Sequence, residues 1–127
     1  MKEVREAVGL VTMYSFQSKT ITIEEFSKVE VRVGKVLEAT NKEGSDKLIR
    51  LVVDIGAEKP RIIFTGVRGF GYTPEDFAGK QFLFLTNLIS RKMLDEESQG
   101  MMLAVAGAHK KPQFVSAAGM PVGAKIR

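Results

Sequence analysis

Apolar and polar residues alternate through Val29–Ala39, where Glu30 and Arg32 separate Val29, Val31 and Val33. A period of two is that of a strand buried on one face. At Gly34 the pattern changes phase, so that Val36 faces away from Val33, and a glycine inside a long strand marks a bulge or a bend. Leu48–Ile55 reads as a second strand, with Leu51 and Val53 on one face and Val52 on the other. The turn Gly56–Pro60 leads to a third strand, Arg61–Val67, apolar on both faces. Gln81–Thr86 and Met101–Ala106 supply a fourth and a fifth, with a polar loop, Asn87–Met102, between them.

Helical signals are short. Thr22–Glu25 has the form of a capping box and predicts a helix over Ile23–Lys28. Thr73, Pro74, Glu75 and Asp76 begin a second helix that Gly79 ends after about one turn. Residues 1–20 stand apart: Val4, Ala7, Val8 and Val11 have helical spacing over Lys2–Val8, followed by a linker. Five strands, a bent first strand and a short helix between the third and fourth describe an all-β, five-stranded OB-fold barrel. It carries an N-terminal helical extension and a C-terminal strand and turn extension. A different small Greek-key barrel is the alternative.

Composition removes several chemistries. The 127 residues contain no cysteine and one histidine, His109, which excludes disulfides, thiolate chemistry and two-histidine metal pairs. Asp95, Glu96 and Glu97 form a solvated charge run rather than an acid–base pair, and the glycine-rich turn after Gly66 lacks a phosphate-loop lysine. No catalytic residue, metal site or cofactor is expected. Without a membrane-length apolar run or a signal-peptide core, a soluble cytoplasmic protein is expected, with no membrane association. The net charge is +4, and no acid occurs from Met101 to Arg127. That bias suits a polyanion.

A nucleic-acid site needs cations for phosphate, polar groups for sugar or base edges, and soft surfaces for stacking. Arg32, Lys35, Lys47, Arg50, Arg68, Arg91 and Lys92 supply the first, Asn87, Ser98 and Gln99 the second, and Met93, Met101 and Met102 the third, although Met102 reads better as core. From the loop alone a solvated charged hairpin is the favoured reading, and the strand cations read also as ordinary solvent-face residues.

Phe26–Ala39 (FSKVEVRVGKVLEA), Ser45–Leu48 (SDKL), Val53–Gly56, Tyr72–Glu75, Asn87-Leu88, Arg91–Met93 and Ser98–Met101 (SQGM) together resemble the tRNA-binding domain. That domain is appended to many methionyl-tRNA synthetases and also occurs as free-standing tRNA-binding proteins and in the CsaA chaperones. The resemblance spans residues 21–127. It implies non-catalytic recognition of tRNA shape and a homodimer formed through an extension over about residues 107–127. It also implies RNA contacts at Arg32, Lys35, Lys47, Asn87, Arg91, Lys92, Ser98 and Gln99. A partnership with an aminoacyl-tRNA synthetase follows from it. Unfolded or precursor polypeptides are the alternative ligand. The chain departs from the pattern at Asp95 and Glu96, where a small or glycine-containing step is usual. Two acids beside Arg91 and Lys92 are expected to weaken phosphate attraction, and their replacement to raise affinity.

Overall fold

The computed structural model describes residues 19–127, so the expected Lys2–Val8 helix lies outside the described residues. Helix α1 (Ile23–Phe26) starts at the capping box: Thr22 Oγ1 accepts from the Glu25 amide at 3.1 Å, and Glu25 Oε1 accepts from the Thr22 amide at 2.9 Å. Strands β1 (Val31–Asn41), β2 (Ile49–Asp54), β3 (Arg61–Thr65) and β4 (Gln81–Leu85) follow at the expected places. Every other residue of β2 is buried, because Ile49, Leu51 and Val53 face the core together with Ile63, Phe84 and Val36.

β1 organises the antiparallel sheet, whose order is β3-β2-β1-β4-β7, with β7 at Met101–Met102. It pairs with β4 over Val31–Lys35 and with β2 over Lys35–Asn41, so a single strand serves both halves of the barrel. The register shift lies between Val36 and Glu38, beyond Gly34. Gly34 is therefore not the bulge. A Cβ there would lie 2.5 Å from the Phe84 ring and 2.7 Å from Val53, so the glycine is a point of close approach across the core.

The barrel closes without a regular ladder. The Gln99 amide donates to the Ile62 carbonyl at 2.8 Å, and the Ile62 amide donates to Gln99 Oε1 at 2.9 Å. The Phe64 amide donates to Ser98 Oγ at 3.0 Å. Side chains thus satisfy the backbone donors on the free edge of β3, where an unpaired amide would otherwise be buried. Arg61 braces the seam by donating to the carbonyls of Thr86 and Gln99.

Two expected elements differ in the structure. The fifth strand divides: β7 pairs with β4, then the chain turns away at Leu103, and β8 (Ala104–Ala106) pairs with β9 (Pro112–Phe114). This excursion carries Phe114 to within 5.3 Å (ring centroids) of both Phe77 and Tyr72 at one end of the barrel. The polar loop Asn87–Met102 also contains structure, a hairpin of β5 (Arg91–Met93) and β6 (Glu96–Ser98). The second helix is a single 3-10 turn, Pro74–Asp76, and delivers the buried Phe77 to the core.

The C-terminal segment runs back along β1. The Val33 amide donates to the Ala124 carbonyl at 2.9 Å, the Gly123 amide to the Val33 carbonyl at 2.7 Å, and the Ile126 amide to the Val31 carbonyl at 2.8 Å. Among the described residues, no helix is long and apolar enough to cross a membrane, and no cluster of three potential metal ligands occurs.

Candidate nucleic-acid interface

Along β2 and β3, the residues that alternate with the core point outward, among them Arg50 and Val52 on β2 and Phe64, which pairs with Arg50. The outer face of the second and third strands is the surface on which barrels of this kind bind oligonucleotides. The β5–β6 hairpin lies against this face. Ser98 holds its β6 end to Phe64, while ion pairs hold its tip.

Those ion pairs come from the two acids. Glu96 engages Arg50 through Nε at 2.9 Å and Nη2 at 3.1 Å, a two-pronged contact. Lys42 Nζ lies 2.7 Å from Asp95 Oδ1 and 2.9 Å from Glu96 Oε1, and 5.7 Å from the centroid of the Phe64 ring. The hydrogen bond from Arg50, then that from Lys42, holds the Glu96 carboxyl below its usual pKa. Asp95 is lowered chiefly by Lys42, and Lys42 is raised chiefly by Asp95. The two acids thus make their direct contacts with Lys42 and Arg50, while Lys92 acts on Asp95 only at longer range. Leu94, at the turn, has φ 61°, a left-handed conformation that favours glycine. The ion pairs of the next two residues hold the turn in that strained state.

The residues expected to form the site fall into three groups. Arg91 and Lys92 are exposed on β5 and form no ion pair among the described residues, while Met93 beside them is half-buried. Lys47 is exposed in the β1–β2 turn, which is closed by the Lys42 amide donating to the Leu48 carbonyl and braced by Arg68, which donates to the Ser45 carbonyl. Lys47 and the hairpin tip therefore share one end of the barrel.

A second group is engaged in the scaffold. Ser98 is buried, with its hydroxyl accepting from Phe64 and donating to the Gly100 carbonyl at 3.2 Å. Gln99 closes the seam. Asn87 clamps the start of β1, accepting from the Glu30 amide at 2.9 Å and donating to the Lys28 carbonyl. Arg32 donates to the Gly123 carbonyl at 2.8 Å and pairs with Glu30 at 3.2 Å, which lowers the Glu30 pKa together with a hydrogen bond from Thr86.

Lys35 stands apart. It is exposed where β1 passes from β4 to β2, and at about 3.3 Å per residue it lies roughly 20 Å along the strand from Lys42. It lines a separate hollow with Lys80, Asp76 and Gln81. The sequence does not single out Lys42, and it offers Arg50 only as one of seven candidate phosphate cations. Their partners lie 54 and 46 residues away, so only the outward position of Arg50 on β2 could have signalled it.

The family model described as "Putative tRNA binding domain" matches residues 31–125. A methionine–tRNA ligase of Cupriavidus necator is 44% identical over 92 residues, which make up 72% of this chain and only 13% of that protein. The crystal structure of a MetRS related protein from Pyrococcus horikoshii matches with a TM-score of 0.80 and 33% identity, covering 87% of this chain and 100% of that one. The chaperone CsaA of Bacillus anthracis, at 23% identity and a TM-score of 0.75 over 86% of this chain and 100% of that one, shares the fold.

Proposed function

Because this chain belongs to the tRNA-binding domain family, we propose that it binds tRNA in trans, by shape and phosphate contacts and without catalysis, as a dimeric subunit or cofactor of a methionyl-tRNA synthetase. The observation that carries this reading is the docked β5–β6 hairpin, which presents Arg91 and Lys92, exposed and unpaired among the described residues, beside the outer β2–β3 face. Arg91, Lys92 and Lys47 take phosphates, and Met93 packs against a sugar or base. Lys35 is a peripheral phosphate contact. Ser98, Gln99, Asn87 and Arg32 act as positioning residues, since their polar atoms hold the hairpin, the barrel seam and the C-terminal segment. Residues 21–127 form the binding unit.

The dimer is supported by apolar surface that the other described residues leave open. Ile23, Phe26, Val29 and Ile126 line a groove of about 400 Å³ between α1 and the C-terminus, and all four are exposed. A second copy would cover it, with the C-terminal segment and α1 at the contact.

Gel-shift titration with bulk tRNA tests the reading. Retention should be firm at low salt and fall steeply as salt rises, as phosphate contacts require. Absence of retention at the lowest salt, together with suppressed aggregation of a denatured client protein, would replace it with a peptide-binding role. Sedimentation of the wild type and of Ile126→Glu tests the dimer, and a monomeric wild type rules it out.

A further inference from the structure

Lys42 and Arg50 sit on the binding face and yet are taken up by carboxylates of the same chain. We propose that they are additional phosphate-binding residues, and that Asp95 and Glu96 are internal phosphate surrogates which RNA displaces. This rests on the tRNA-binding reading above and extends it to two cations and a built-in competitor.

Three observations carry the inference. First, Glu96 holds Arg50 by two of its nitrogens, and that planar fork recognises phosphate oxygens as well as carboxylate oxygens. Second, the cations stand on the sheet rather than on the hairpin. Arg50 is the second residue of β2, a strand paired on both sides, and Lys42, directly after β1 and with only 10% of its side chain exposed, lies over the Phe64 ring. Third, the acids are within reach of solvent. The Asp95 side chain is 81% exposed and that of Glu96 29%, so a polyanion can approach both. Rotation of two side chains frees both cations, while Ser98 and Gln99 keep β6 fastened to β3.

Exchange of carboxylate for phosphate at these cations makes the site self-competitive. A lone anion gains little over the acids already present, whereas a polyanion that also reaches Arg91, Lys92 and Lys47 displaces them cooperatively. The pair thereby discriminates against small anions and short fragments.

The experiment is equilibrium binding of bulk tRNA to the full chain across a range of salt, comparing wild type with Asp95→Asn/Glu96→Gln. These replacements keep shape, leave one acceptor oxygen on each side chain and remove the competing charge. Affinity near 0.1 M salt should rise roughly tenfold, and the log–log salt slope should steepen by about 1.4–1.8, the increment for two further phosphate contacts. Adding Lys42→Met/Arg50→Met to the double variant should abolish the gain. Glu97→Gln is the control for bulk charge, since Glu97 pairs across the hairpin with Lys92 and touches neither cation. An equal gain from Glu97→Gln, an unchanged slope, or weaker binding by the double variant overturns the displacement mechanism alone. Failure of every variant and the wild type to bind tRNA overturns the parent reading.

Discussion

Replacement of Ser98 by alanine separates a scaffold role from an RNA contact at that position. The hydroxyl accepts from the Phe64 amide at 3.0 Å, and both residues are buried, Ser98 with 5% of its surface exposed and Phe64 with 6%. Alanine leaves that amide without a partner where water has little access. The cost is that of an unmade buried hydrogen bond, about 1–3 kcal/mol, and no charge is lost. For a chain of this length, about 2 kcal/mol corresponds to a melting-point drop of roughly 6–10 °C. Urea unfolding should show an earlier midpoint with an unchanged slope, and amide exchange at Phe64 should accelerate more than exchange in the β1–β2 ladder. Ser98→Thr keeps the oxygen and should retain most of the stability. At a temperature where the variant is folded, the salt slope of tRNA binding should match the wild type, because a hydroxyl releases no counterion. Wild-type stability and Phe64 exchange in the alanine variant, with tRNA affinity down tenfold or more, would show that the hydroxyl serves RNA and that the assigned bond is unimportant.

Gly34→Ala should lower stability by about 1–3 kcal/mol or more, because the new methyl would lie 2.5 Å from Phe84 and 2.7 Å from Val53, and a thermal melt equal to wild type would refute this account of the glycine. Hairpin docking should weaken in acid. The Glu96 and Asp95 carboxyls are lowered in the folded state by Arg50 and Lys42, with Lys92 acting further on Asp95. Their contribution is complete above the unfolded carboxylate range, about 3.9–4.3, and is lost as pH falls through the lower folded values. Amide exchange across β5–β6, referenced to β1–β2 and corrected for intrinsic rate, should therefore rise below that range, and a flat ratio down to pH 2 contradicts the ion-pair assignment. At the β8–β9 turn, His109 and Lys110 both hold left-handed φ, 57° and 63°, positions that favour Asn-Gly. His109→Asn/Lys110→Gly should raise stability by about 1 kcal/mol, read as a later urea midpoint, and any loss would mean that these side chains have a partner.

What could be read from the chain was whatever repeats locally. Period-two alternation places β2 and the start of β1, and short apolar runs bounded by turns place β3 and β4. The Thr22–Glu25 box is legible because its partners are three residues apart. The β5–β6 hairpin is not: it has three residues per strand, chiefly polar, and nothing in Arg91–Ser98 alternates against a core. Its stability comes from Lys42, Arg50 and Phe64, which lie 34–54 residues away in the chain. The same separation misassigns polar residues. A serine that closes a barrel and a serine that touches a ribose have the same sequence signature, and only the Phe64 amide distinguishes them.

Asp95 and Glu96 show how far sequence proximity misleads about electrostatics. In the chain they are three to five residues from Arg91 and Lys92, and Coulomb repulsion of phosphate is the natural inference. In the hairpin, Arg91 pairs with Ser98 and Lys92 with Glu97, while Glu96 reaches Arg50 and both acids reach Lys42. Within the cluster the two cations and two acids cancel, which leaves Arg91 and Lys92 against Glu97 on the hairpin. The acids therefore do little to the long-range field and much to the near one. Removing them uncovers two cations on the strand face rather than merely relieving repulsion at the loop. That difference is measurable, because relieved repulsion changes affinity with little change in the number of ions released, whereas two newly uncovered phosphate contacts also change the slope.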